Sequence, residues 1–288
     1  MRRWDGRGFY RQCWQRQHDA GPGRWDEASG RRHVAGNAGR GRTGLVSTTA
    51  GRPVQEVLAD AWAVRYRIET EACLRFGALA RRLDTATAPR VLIELAERAS
   101  QDETRHAAHC ERFFRALGGK TLQGVTHVVE YAPPTLPEAE RLTYELVSQC
   151  CVAETQSTAT LVTLLDAAET PELKAVLHEL ARDEVHHSRL GWAYLTWARP
   201  RVDFSFLGPL LPGMMDGNAG AEMFEPPRED ADRPELLRQG VVPQSMRRQV
   251  YVETMKSVVF PGFEKLGVDT GDATRWLDAK LGHAATSA

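Results

Sequence analysis

Two stretches decide how this chain folds: Gln101-Asp102-Glu103-Thr104-Arg105-His106-Ala107 and Arg182-Asp183-Glu184-Val185-His186-His187. Each sets a glutamate and a histidine three residues apart, Glu103 with His106 and Glu184 with His187. Residues three apart share one face of an α-helix, so each stretch, wound as a helix, aims a carboxylate and an imidazole at one point. The first lies in a segment that reads as helix from Pro89 to about Leu117, where Gly118-Gly119 stops it. The second lies in a segment opened by Thr170-Pro171, an N-cap followed by proline at the first helical position, and running to Arg199 before Pro200.

Two further helices frame these. From Pro53 to about Leu83 the residues Leu58, Trp62, Arg65, Glu69, Ala72, Phe76, Leu79 and Leu83 recur at spacings of three and four, the helical period. From a capping box, Thr135 with Glu138, a third helix extends to about Ala168. Short links join the first helix to the second and the third to the fourth, which predicts two antiparallel hairpins. The longer Gly118 to Pro134 segment is long enough to cross over the bundle. The first helix offers Glu69 on its apolar stripe and the third offers Glu154. Counted from the helix starts, Glu69, Glu103, Glu154 and Glu184 lie at depths that agree within about 6 Å at 1.5 Å per residue. Four carboxylates at the centre of a bundle repel one another and lose their hydration, a cost of several kcal/mol each. Two divalent ions would cancel the four charges. Four carboxylates and two imidazoles suit iron or manganese, with positions left open for water or O₂.

The order Glu, Glu-x-x-His, Glu, Glu-x-x-His resembles that of the ferritin-like di-iron carboxylate proteins, over roughly residues 53 to 199. The resemblance implies an all-α, ferritin-like four-helix bundle with a long crossover between helices 2 and 3. It implies a metal ligand set of Glu69, Glu103, His106, Glu154, Glu184 and His187, holding two iron ions, with manganese in one or both places as the variant. Asp102-Glu103-x-Arg105-His106 is also similar to a motif of bacterial multicomponent monooxygenase hydroxylases, in which the Asp hydrogen-bonds the histidine ligand of the other helix. By that likeness Asp102 orients His187 and Asp183 orients His106, although His186 replaces the motif's arginine in the second copy. Glu69 with Ala72 and Phe76 matches a rubrerythrin-like pattern, which favours Glu69 over Glu71 as the ligand. Glu71, with Arg67 and Arg75 one turn away on either side, reads as a surface ion pair. Thr158, four after Glu154, matches the threonine that the hydroxylases carry beside their oxygen site and is the candidate catalytic residue; the competing reading is a hydroxyl bonded to its own i−4 carbonyl. Cys110 stands where the ribonucleotide reductase small subunit carries its radical tyrosine, which argues against that activity. Leu180 occupies the place of the extra histidine of arylamine N-oxygenases.

The rest of the chain bounds these readings. Across 288 residues, 37 basic and 38 acidic side chains leave a net charge of −1, with 42% hydrophobic and 26% charged residues. That balance gives no global electrostatic case for a nucleic-acid or membrane partner. No apolar run approaches the roughly 18 residues of a membrane span, and Arg2 and Arg3 precede no apolar stretch of a signal peptide. Five cysteines without a CxxC pair argue against a disulfide framework or a cysteine zinc site, and a reducing cytoplasm is the expected location. Residues 1–44 hold ten arginines and nine glycines but no Leu or Ile, and read as a disordered basic tail or as sequence ahead of the true start. The reading of Trp4, Trp14 and Trp25 as part of a nucleic-acid-binding arm is the weaker one. Residues 45–200 form the expected bundle. Residues 201–288 form an extension packed on it, loose and rich in Pro and Gly from Val202 to Pro234, then helical at Gln244 to Val259 and Asp272 to Leu281.

The expected function is that of an oxidoreductase, an oxidase or oxygenase that activates O₂ to oxidise a small organic substrate, with an electron-donor protein and a homodimer admitted as partners. The alternative is a ferroxidase, iron-handling or peroxide-scavenging protein. The missing CxxC pair removes the rubredoxin module of typical rubrerythrins, and the C-terminal extension suits a ferritin shell poorly. A third reading keeps the metal only as a structural staple.

Overall fold

A computed structural model describes residues 52–128 and 130–286, so the expectation for residues 1–44 lies outside the described residues. Helix α1 spans Val54–Thr85 and α2 spans Arg90–Ala116. Helix α3 is one rod of three segments, an α-helical Glu138–Leu146, a π-helical Val147–Glu154 and an α-helical Thr155–Ala167. Helix α4 spans Pro171–Ala198. The extension adds α5, Leu207–Ala219, the short α6, Pro234–Arg238, then α7, running through Gln244–Thr254, Met255–Val259 and Phe260–Lys265, and α8, Gly271–Thr286. The described residues contain no strand, and the fold is a ferritin-like helical bundle with extra C-terminal helices. No described helix is long and apolar enough to cross a membrane.

The helix starts follow local chemistry, with one correction. Thr170 caps α4, its hydroxyl oxygen accepting the Leu173 N–H at 3.2 Å. The capping box expected at Thr135 and Glu138 does not form: Pro137 is the N-cap and no side chain caps the helix. Glu138 is engaged elsewhere, accepting from Arg82 Nε of α1 at 2.8 Å and meeting Arg141 of its own helix at 3.2 Å, and these arginines outcompete the local cap. The crossover is tied to the bundle by its backbone donors. Val125 N–H donates to Thr70 Oγ1 at 3.2 Å, and the Tyr131 and Ala132 N–H groups donate to the buried Glu145 at 3.3 and 3.2 Å.

Val202 to Pro234 is more ordered than its Pro and Gly content suggests. Leu207, Leu211, Met214 and Met215 form one buried face of α5, despite Pro212 inside the helix. Burial of that face outweighs the lost hydrogen bond. Tyr251 on α7 donates its hydroxyl to the Met215 carbonyl at 3.1 Å and locks α7 to α5.

Two apolar clusters leave a polar layer between them. One takes Ala72 to Leu83 of α1, Leu92 to Ala99 of α2, Leu142 to Val152 of α3, Leu190 to Ala198 of α4 and much of α5, α7 and α8. The other takes Trp62, Cys110, Phe114, Leu161, Leu164 and Leu173 to Ala181. On every helix of the bundle the candidate ligand falls in the gap: Glu69, Glu103 with His106, Glu154, and Glu184 with His187. The clusters hold the rods in register and the polar residues inherit their alignment.

Candidate metal centre

The gap between the clusters is a buried acidic pocket. Glu103, Glu154, Glu184 and His187 each offer a ligand atom, and the four atoms lie within 4.8 Å of one another. His187 Nδ1 is 3.1 Å from Glu184 Oε2 and 3.3 Å from Glu103 Oε1. His106 joins through Glu103, its Nδ1 standing 3.3 Å from Glu103 Oε2. Glu69 is buried and lines the same cavity as Glu103, Glu154 and Glu184, outside the tight four-residue group. The π-helical Val147–Glu154, of which the residue spacing gives no sign, ends on Glu154 and resets which residues of α3 face inward. Gly191 of α4 lets the two rods meet there. A Cβ on it would stand 2.5 Å from Cys151 Sγ and 2.8 Å from Cys150 Cβ.

Each imidazole is held from the far side by an aspartate of the other hairpin. Asp183 Oδ2 lies 3.4 Å from His106 Nε2, and Asp102 Oδ2 lies 3.4 Å from His187 Nε2. An ionised carboxylate only accepts, so Nε2 carries the proton and Nδ1 is the atom free to face the glutamates. Arg105 ties the aspartates together, with Nη1 2.8 Å from Asp102 and Nη2 2.9 Å from Asp183. Arg182 adds a second donor to Asp183 at 2.9 Å, on the helix where His186 replaces arginine.

The charges show what the pocket lacks. Burial opposes every ion in it. Burial and the neighbouring charges of Glu184 and Glu103 push the Glu154 carboxyl well above its ordinary value. For Glu103, burial is outweighed by His106 and His187, which hold it down at about 2. Burial would lower both histidines, but Asp183 and Glu103 raise His106 to about 10, and Asp102, Glu103 and Glu184 raise His187. Against their own burial, His187 and Arg105 hold Asp102 low, and His106 and Arg182 hold Asp183 low. Without metal, then, protonated imidazoles neutralise the acids. Glu103 Oε2 and His106 Nδ1 are buried and make no hydrogen bond, although they face each other. A cation between them would satisfy both, and the oxygen and imidazole donors match iron or manganese.

The rubrerythrin family model matches residues 56–191. This stretch is a ferritin-like di-iron carboxylate domain. No curated protein and no solved structure matches the chain. Ferritin-like domains of this family bind a di-iron centre, and the buried glutamate and histidine cluster of this one fits such a group.

Other residues of the ferritin-like domain fall differently from their sequence expectations. Thr158 is buried and donates to the Glu154 carbonyl at 2.8 Å, the helix-internal bond that competed with a place beside the oxygen site. Its neighbour Ser157 lines the cavity instead and donates to Glu184 Oε1 at 3.0 Å. Gln149, also on the cavity wall, donates its amide to Glu154 Oε1. Neither residue carried a sequence signal, because the π-helical turn shifts the inward face of α3. Glu71 is ion-paired to Arg75, but the pair is buried rather than on the surface. Arg75 Nε donates to Glu71 Oε1 at 3.2 Å, Tyr131 donates its hydroxyl at 3.1 Å, and the Tyr131 ring lies 4.2 Å from the guanidinium. The crossover covers this face of α1, which the helical spacing alone could not reveal. Cys110, Cys150 and Cys151 are free and buried, and burial pushes their thiols well up, as expected of packing residues.

Proposed function

We propose that this protein activates O₂ to oxidise or oxygenate a small organic substrate. The observation that carries this reading is a cavity of about 440 Å³ that ends on Glu69, Glu103, Glu154 and Glu184. Its outer wall is built from the C-terminal extension, by residues such as Asn218, Val241 and Gln244. That volume is within the range of small-molecule sites. An iron store needs a path for ions, not a partly apolar chamber walled by three added helices.

Glu69, Glu103, His106, Glu154, Glu184 and His187 would hold two iron ions. When bound, these supply the electrons and the coordination sites that O₂ reduction requires. The protein's part is positional. Asp102 and Asp183 fix the imidazole protons on Nε2 and turn the Nδ1 lone pairs inward. Gln149 and Ser157 hold oxygens of Glu154 and Glu184 and so restrain how those carboxylates swing. Apolar walls at Ile68, Ala72 and Leu161 exclude water from the reacting face. An external reductant, by a donor protein or a small carrier, completes the electron balance of each turnover.

Excess Fe(II) added in air separates the readings. A stoichiometric pair of irons per chain, with reoxidation accelerated by an organic molecule, is the expected result. Hundreds of irons per assembly would establish storage instead.

A further inference from the structure

The cavity that reaches the glutamates has a charge pattern of its own. Besides the four acidic residues at its end, it is lined by Arg52, Arg65, Arg228 and Arg247, against only Asp60 and Glu222. Arg52 pairs with Asp60 at 2.5 Å, and Arg228 and Arg247 share Glu222, each at 3.4 Å. Two guanidinium nitrogens remain: Arg65 Nη1 and Arg247 Nε are buried and make no hydrogen bond. A buried N–H of a cation without an acceptor is costly, and such groups mark a place that a partner fills.

Arg65 is the better placed of the two. It lies on the inward stripe of α1, four residues before Glu69 and so about 6 Å from it along the axis. Its Cζ stands 4.9 Å from the centroid of the Trp62 ring. Trp62 is itself only 2% exposed and stacks on Phe113 at 4.5 Å. The cation is therefore backed by a fixed aromatic surface, on a residue that lines the cavity and keeps one buried nitrogen unpaired. In the same cavity Ile68, Leu161, Val241 and Val242 supply apolar wall. A planar anion matches a guanidinium edge, and a hydrocarbon body matches the wall.

We propose that the cavity takes an organic carboxylic acid, its carboxylate on Arg65 and its hydrocarbon part against Ile68, Leu161 and Val241, next to the glutamates. This deepens the oxygen-chemistry reading and rests on it only for what happens after the acid has bound. Arg247 Nε, on the extension, is the second donor on the same cavity and gives the added helices a role in recognising the acid.

The test is calorimetric titration of the full chain, expressed with iron and kept in air, with octanoate and with its neutral counterparts octan-1-ol and octanamide. Octanoate is expected to bind about tenfold or more tightly than either, the scale of one hydrogen bond to a charged group. Arg65→Gln is expected to abolish that preference and Arg65→Lys to keep part of it. Equal binding of octanoate and octan-1-ol by the wild type, no octanoate binding, or a preference that survives Arg65→Gln would overturn the proposal. The wild-type comparison stands without the variants. Iron content measured on the same samples reports separately on the metal: an iron-free chain that still prefers octanoate would sink the oxygen chemistry and leave the acid site standing.

Discussion

Asp183 on α4 lies 3.4 Å from Nε2 of His106 on α2, and Asp102 on α2 lies at the same distance from Nε2 of His187 on α4. Each helix thus supplies a glutamate and histidine to the pocket and an aspartate to the other helix's histidine, and Arg105 bridges the two aspartates. Asp102→Asn and Asp183→Asn keep the shape but offer an amide that can donate as well as accept. The imidazole is then no longer held with its proton on Nε2. Each variant is expected to lower metal affinity about 10- to 100-fold with little loss of helicity. Competition against a chromogenic chelator, with circular dichroism on the same sample, checks it; unchanged affinity in both variants would mean that the aspartates do not orient the rings.

Glu71 and Glu69 are two residues apart and both buried, yet they belong to different systems. Glu71 is bound to Arg75 and Tyr131, whereas Glu69 faces the cavity. Glu71→Ala removes the carboxylate that the buried Arg75 pairs with, which costs about 3 kcal/mol, but two metals per chain remain. Glu69→Ala is expected to do the reverse, reducing metal occupancy with a small effect on the metal-free protein. Denaturant melts and metal analysis on both variants decide it, and swapped outcomes would put the ligand of α1 at Glu71.

The histidines also set a pH dependence. In the metal-free protein His106 is raised from 6.5 to about 10, and His187 is raised too. A raised histidine stabilises the fold fully below its unfolded value near 6.5, and that contribution is lost as pH rises through the folded value. Asp102 and Asp183 are lowered from 3.8, so their contribution is present above that value and is lost as pH falls through the folded ones. The metal-free protein is therefore expected to melt at progressively lower temperature from about pH 6.5 to pH 10. Metal replaces those protons, so the loaded protein lacks this decline, and metal uptake releases protons and weakens as pH falls. Melting curves of both forms across pH 6 to 10 measure the difference.

The bundle was legible because its candidate ligands obey helical spacing. Glu103 with His106 and Glu184 with His187 need only the i, i+3 rule, and the matched depths of the four glutamates follow from helices of similar length. Helix α5 was hidden because Pro212 and its glycines suppress the usual helical signature, while its stability comes from the tertiary burial of Leu211, Met214 and Met215. The capping box at Thr135 failed because Glu138 had better partners, Arg82 on an element distant in sequence and Arg141 one turn further along its own helix. The inward face of α3 was out of reach for a different reason. A π-helical segment leaves no periodic trace in Val147–Glu154, so counting by 3.6 reaches Thr158 and passes over Ser157, the hydroxyl that donates to Glu184.

That shift gives the last prediction. Thr158 donates its hydroxyl to the Glu154 carbonyl within α3 and Ser157 donates to the Glu184 carboxylate from the cavity wall. Thr158→Val removes a bond to a carbonyl already in the helix and is expected to cost about 1 kcal/mol of stability or less, with oxygen chemistry kept. Ser157→Ala frees one Glu184 oxygen on the reacting side. It is expected to slow substrate-accelerated reoxidation about tenfold, and Ser157→Thr, which restores a hydroxyl, to recover part of the rate. Stopped-flow reoxidation of the three variants discriminates the two residues. If Thr158→Val is the variant that slows, the hydroxyl beside the oxygen site is that of Thr158, and the inward face of α3 turns one residue further than its hydrogen bonds indicate.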